Sequence, residues 1–223
     1  MSGSSWSVLA ALLFTVAASV AHAGPAPCPR TGAPSDRAAI DPLFHRLRLD
    51  RIDRLRAQFS EEKHIALLAR PLRQSGTIYF DRTRGIARVT LAPTPERVVL
   101  TASALRIEKG QKREEIRLDQ SKALRAFALV FPALLRGDRA ELEAAFTLEL
   151  GGTAAEAWSL TLTPRDPALC GLVARVVVSG RGAEVASLQI VEASGDVTDT
   201  RFSGIARNEA VPAAEVARGF GGP

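Results

Sequence analysis

Histidine and cysteine are scarce in this 223-residue chain, with three of the first and two of the second. His22 lies in the opening apolar segment, and the other two, His45 and His64, stand in no H-E-x-x-H or C-x-x-C setting. A zinc centre therefore has no ligand set to draw on. There is no G-x-S-x-G elbow, no P-loop and no G-x-G-x-x-G turn. The acid pairs Asp50 with Asp53 and Glu61 with Glu62 have arginines nearby and read as a solvated face. These absences argue against an enzyme: no catalytic residue, metal or cofactor is expected. Aromatic side chains make up only 5% of the chain, and its basic stretch lacks the interleaved aromatics on which bases stack. That composition speaks against a nucleic-acid partner.

What is present begins with an address. Residues 1–23, MSGSSWSVLAALLFTVAASVAHA, hold an apolar run from Val8 to Val20 and end in an A-x-A site, as a cleaved export signal does. The run is short for a membrane-spanning helix. Residues 1–23 contain no Asp, Glu, Lys or Arg, so the net charge of +5 belongs to the exported part, residues 24–223. That balance favours acidic partners or anionic lipid surfaces. In an oxidising compartment Cys28 and Cys170 are free to pair, and a loop that long would stabilise the fold by about 4–5 kcal/mol. Two unrelated thiols are the alternative.

Residues 24–37 are rich in Pro and Gly and form an extended arm. Asp36 is a candidate N-cap for a helix over about 38–50, where Ile40, Leu43, Phe44 and Leu47 recur at helical spacing and require a sheet to lie on. From Leu55 the period changes to two, and short alternating strands follow with turn signals at Arg84-Gly85, APTPE and KGQK. The middle is helical again. Leu124, Phe127, Phe131, Leu134 and Leu135 make one apolar stripe, Pro132 is expected to break or kink it, and Asp138 with Glu141 forms a capping box for a second piece. Strands then resume, cleanest in WSLTLT, where Trp158, Leu160 and Leu162 share a face. Residues 208–223 show no clear period and are expected to be a flexible tail. Arginines crowd one region, with Arg70, Arg73, Arg82, Arg84, Arg88 and Arg97 set against Asp81 and Glu96.

The strings LRAQFSEEKHIALLARPLRQSGTIYF, LAPTPERVVL, WSLTLTPRDPAL and IVEASGDVTDTRF, in this order over about 44–204, resemble the outer-membrane lipoprotein carrier (LolA-like) family, in particular its divergent branch. The resemblance implies a mainly β fold with α: an unclosed antiparallel β-barrel, or half-barrel, over residues 38–207, with an N-terminal helix and short lid helices. It implies a periplasmic monomer that shields the acyl chains of a lipoprotein or envelope lipid between inner-membrane export machinery and an outer-membrane acceptor. A lipid-sensing regulatory module of the same fold is the alternative. The expected acyl-facing residues are Phe59, Ile78, Phe80, Val89, Leu91, Leu160 and Leu162, under the helical stripe as lid. The family's arginine in a basic-Arg-Pro segment, associated with holding the lid, matches Arg82 in FDRTRG. Thr83 replaces the usual Pro, Arg88 stands where many members carry an aromatic, and Ala102-Ser103 replace a common Asp-Gly turn. The arginines would then face anionic head groups, lid carbonyls or an acidic docking partner.

Overall fold

The computed structural model describes residues 28, 35, 37–47, 51–120, 122–136, 138–153, 155–210 and 212–221. The export signal, most of the arm and the Asp36 cap lie outside the described residues. Helix α1 (Arg37–Leu47) leads into six strands, β1 (Arg54–His64), β2 (Leu72–Asp81), β3 (Gly85–Ala92), β4 (Glu96–Leu100), β5 (Ala104–Lys109) and β6 (Lys112–Arg117). A 3-10 turn precedes helices α2 (Lys122–Arg136) and α3 (Arg139–Ala145). Then come β7 (Phe146–Gly152), β8 (Ala157–Pro164), the short α4 (Pro167–Cys170), β9 (Val173–Arg181), β10 (Glu184–Glu192), β11 (Val197–Arg207) and α5 (Ala213–Phe220).

All eleven strands form one antiparallel sheet in the order β6-β5-β4-β3-β2-β1-β11-β10-β9-β8-β7. Its two ends do not meet, so the sheet is an unclosed half-barrel with helices. The main core lies on its inner face. Ile40, Leu43 and Leu47 of α1, at the spacing that places them on one side of a helix, are buried with Val130 and Ala133 of α2 against Leu148, Leu160, Leu162, Val176 and Ile190. Asp138 caps α3 by accepting from the Glu141 N–H at 3.0 Å.

Two glycines admit large rings to this face. A Cβ on Gly76 would lie 2.0 Å from the Val89 carbonyl oxygen and 2.8 Å from Cε1 of Phe59, and one on Gly180 would lie 2.4 Å from Cζ2 of Trp158. Phe59 and Trp158 therefore lie flat across neighbouring strands where any side chain would displace them.

Three expectations need correction. Of the break or kink expected at Pro132, the break is absent, because α2 runs through it to Arg136. The lost backbone bond is offset by burial of Val130 and Ala133 on either side. Residues 213–220, expected within a flexible tail, form α5 on the outer face. Arg97 donates to the Ala217 and Arg218 carbonyls at 3.4 and 3.2 Å, satisfying groups at the helix's C-terminal end, and Gly219 lies against the Tyr79 ring. Arg97 also bonds Glu108. Third, the alternation in β3 points the other way from the expected one. Arg88 pairs with Ile78, so Val89 turns outward to Tyr79, Ala87, Val99 and Phe220, and Leu91 is 58% exposed. The outer face there is apolar because α5 covers it.

Cys28 and Cys170 are bonded, with Cα atoms 5.0 Å apart, and tie the arm to α4. Cys28→Ser/Cys170→Ser is expected to lose about 4 kcal/mol of unfolding free energy in urea titrations, if constraint of the unfolded chain is the bond's main effect. Gly76→Ala should cost about 1–3 kcal/mol in the same assay, through overpacking against Phe59.

Candidate functional site

The inner face leaves a cavity of about 160 Å³. Its roof is Phe44 and Leu47 from α1 with Leu134 and Leu135 from α2, and its walls include Leu55, Ala57, Ile78, Ile86, Trp158, Leu160, Val178, Val185, Leu188, Ile190, Phe202 and Ile205. Strand pairing explains how residues so far apart in sequence converge. Ala57 faces Ile78, Leu188 faces Val178, and Val178 faces Leu160 across successive ladders, so side chains at every second position project together.

Of the seven expected acyl-facing residues, Ile78 and Leu160 line the cavity. Phe59, Phe80 and Leu162 are on the same inner face but buried around it. Val89 and Leu91 are on the other face. Of the lid residues, Leu134 and Leu135 reach the cavity, and the side chains of Leu124, Phe127 and Phe131 lie outside the described set. The described hydrogen bonds of Arg82 run to the segment before β1. Nη2 donates to the Ile52 carbonyl at 2.7 Å and Nε to Asp53 Oδ1 at 3.1 Å. Through these bonds the arginine holds the segment that leads into β1. Arg207 has the position expected of a clamp on a roof helix: Nη1 donates to the Leu47 carbonyl at the end of α1, at 3.3 Å, and Nη2 to the Ala183 carbonyl at 2.8 Å.

The cavity wall is not uniformly apolar. Glu61, Arg88 and Thr200 also line it. Arg88 Nη2 donates to Glu61 Oε1 at 2.7 Å and to Gln74 Oε1 at 3.2 Å, and the Thr200 hydroxyl donates to Glu61 Oε2 at 2.7 Å. The guanidinium carbon lies 4.5 Å from the centroid of the Phe59 ring. Just beyond, Lys63 donates to Glu192 at 2.6 Å. The acid pair Glu61 and Glu62 thus splits. Glu62 meets Arg73 at 3.0 Å on the solvated face, as expected, whereas Glu61 is buried, because a strand sends alternate residues to opposite sides. The period of two that starts at Leu55 carries Glu61 to the face of Ala57 and Phe59, but its charge reads as solvated, and Arg88 is marked only by standing where many family members carry an aromatic. The alternation of Leu188 and Ile190 in VASLQIVEA and the helical spacing of Phe44 and Leu47 were visible in the sequence, but the cavity they share was not.

Among the described residues there is no group of three or more His, Cys, Asp or Glu placed to hold a metal, and no helix is long and apolar enough to cross a membrane.

A family model described as outer membrane lipoprotein carrier protein LolA-like matches residues 33–220. The chain belongs to that family. An outer-membrane lipoprotein carrier protein of Dechloromonas aromatica (strain RCB) is 28% identical over 207 residues, covering 93% of this chain and 89% of the relative. Among solved structures, a LolA superfamily protein from Nitrosomonas europaea aligns over 79% of this chain and 96% of its own, with a TM-score of 0.42 and 11% identity. A putative outer membrane lipoprotein-sorting protein domain from Vibrio parahaemolyticus aligns over 81% and 97%, with a TM-score of 0.45 and 8% identity. Membership of the LolA-like family supports a lipoprotein carrier role in general, with lipoprotein as the cargo class.

Burial pushes the Glu61 carboxyl above its ordinary value of 4.5, against the opposing pull of Arg88, the Thr200 hydroxyl and Lys63. In the pH window just above 4.5 the folded chain therefore keeps a proton that the unfolded chain has lost, and Glu61's own contribution to stability falls as pH rises through that window. Glu61→Gln does not titrate. Its stability relative to wild type is expected to rise across the window and then stay level, as read from denaturant midpoints over a pH series.

Proposed function

We infer that this chain is a periplasmic carrier that shields the acyl chains of a lipoprotein, or of a related envelope lipid, during transfer toward the outer membrane. The observation that carries the reading is the apolar cavity between the inner face of an unclosed sheet and the roof of α1 and α2. Each CH₂ of an acyl chain gains about 0.8 kcal/mol on leaving water, so a multiply acylated cargo crosses an aqueous gap only inside an apolar enclosure. The task requires no covalent step. It needs a donor at the inner membrane, an acceptor at the outer membrane and a single copy of the carrier between them.

At about 160 Å³ the cavity is smaller than the roughly 300–1,000 Å³ typical of ligand sites, which fits a closed form. Loading then displaces the roof, and Leu134 and Leu135, which close the cavity from α2, are the side chains that give way. On this reading α2 serves as a lid, and Arg207 of β11 adds a clamp on the end of α1.

A fluorescent fatty-acyl probe tests the reading. Ile78→Glu and Leu160→Glu should each weaken probe binding at least about tenfold, because a carboxylate would be stripped of water beside hydrocarbon. Leu91→Glu, on the outer face, should leave it unchanged. Equal affinity in all three folded variants, or no binding by wild type, would remove the cavity as the cargo site.

A further inference from the structure

Three strands contribute one polar cluster to the apolar cavity: Glu61 from β1, Arg88 from β3 and Thr200 from β11. Glu61 is 7% exposed and Arg88 8%. Holding an ion pair here is costly, since removing each charge from water costs several kcal/mol, and apolar side chains of similar volume often hold strands together as well or better. An enclosure for hydrocarbon alone gains nothing from the cluster. A ligand with a polar group at the end of its chain does.

The chemistry of that group follows from the cluster's charge and hydrogen bonding. Glu61 and Arg88 neutralise one another, as do Lys63 and Glu192 beyond them, so a charged head group would enter as an uncompensated buried ion. An uncharged group is favoured. The Glu61 carboxylate accepts one bond from Arg88 and one from Thr200, and a carboxylate has about four lone-pair sites. It calls for a further donor. On the same inner face, the hydroxyls of Thr90 and Thr198 are buried, at 2% and 0% exposure, and find no hydrogen-bond partner among the described residues. They lie beyond the lining of the cavity itself and add to the polarity of the face behind it. Among the linkages that join an acyl chain to a head group, an amide offers such an N–H donor, whereas an ester only accepts.

We propose that the Glu61–Arg88–Thr200 cluster is a socket for the amide linkage of an N-acylated ligand, and that it makes the cavity select acyl amides over acyl esters, acyl carboxylates and bare hydrocarbon of equal chain length. The proposal rests on the carrier reading above and adds to it the residues that discriminate among cargoes. Arg88 and Thr200 orient the Glu61 carboxylate, whose remaining lone pairs receive the amide N–H, while the apolar walls take the chain.

Competition against the fluorescent acyl probe tests it, using N-methyldecanamide, methyl decanoate, decanoate and decane. On the full-length exported chain the amide should compete about tenfold better than the ester, the size of one hydrogen bond to a charged group. In Glu61→Leu/Arg88→Leu, which removes both charges together and so leaves no buried ion unpaired, decane should compete at least as well as with wild type, because the wall is more apolar, and the amide's advantage should vanish. Thr200→Val, a near-isosteric change, should reduce the advantage in part and serves if the double variant does not fold. Amide, ester and decane competing equally with wild type would overturn the socket and leave the carrier reading standing, as would decanoate competing best. Failure of wild type to bind the probe at all would remove both.

Discussion

Everything on the inner face depends on the chain's first strand pairing with its last. β1 runs antiparallel to β11 from Leu55 opposite Arg207 to His64 opposite Val197, joining the meander β1–β6 to the meander β7–β11. Bringing these segments together closes a loop of most of the chain, at an entropy cost that grows only slowly with length. The register matters more than the distance. A slip of one residue would turn Phe59, Glu61, Thr200 and Phe202 to solvent and dismantle cavity and cluster together. Both ends of the junction are secured accordingly. Asn208, in the left-handed region at φ 55°, accepts from the backbone N–H groups of Asp53 and Arg54 and donates to the Arg51 carbonyl, and Arg82 grips the same segment from the β2–β3 turn.

Much of this fold was legible because short-range patterns state it directly. Ile40, Leu43, Phe44 and Leu47 marked α1, Asp138 marked the start of α3, and Arg84-Gly85 marked a hairpin turn where Gly85 has φ 103°. The failures share a cause. Alternation in a strand reveals two faces but not which one is inward, and in β3 the charged residue goes in while Val89 goes out beneath a helix that itself showed no period. The break at Pro132 does not occur: propensity counts the lost hydrogen bond and not the burial of Val130 and Ala133 around it. Arg82 was placed by family resemblance, and the bonds it makes depend on where the preceding segment runs.

The candidate site was less legible than the fold, for a related reason. Hydrophobic positions such as Leu160 and Ile78 signal a buried face from their own neighbours, but Glu61 acquires its meaning only from Arg88 and Thr200, which the sheet brings to it from distant parts of the chain. A charged residue in a basic stretch is far more often solvated than buried. Arg88 did carry one distinguishing mark, standing where many members of the family have an aromatic. In the structure its guanidinium lies over the Phe59 ring, so a flat cation fills space on the inner face and adds polarity to it.

The strand order ends at β6 on one side and β7 on the other, and those ends are treated differently. β6, Lys112–Arg117, carries the run KREEIR, whose charges discourage a foreign strand from adding to it. β7 is met by Ser35 of the arm, whose N–H donates to the Leu148 carbonyl at 3.1 Å and whose hydroxyl accepts from the Leu150 N–H at 2.8 Å. Neither end is bonded to the other. In a closed barrel, strand number and stagger fix the girth, and widening it means breaking a complete ring of backbone bonds. Here the girth is set by how tightly the sheet coils, and a small change of twist at each of many ladders alters it with every backbone bond kept. An interior built this way can change its width through the curl of the sheet itself, with no strand pairing given up.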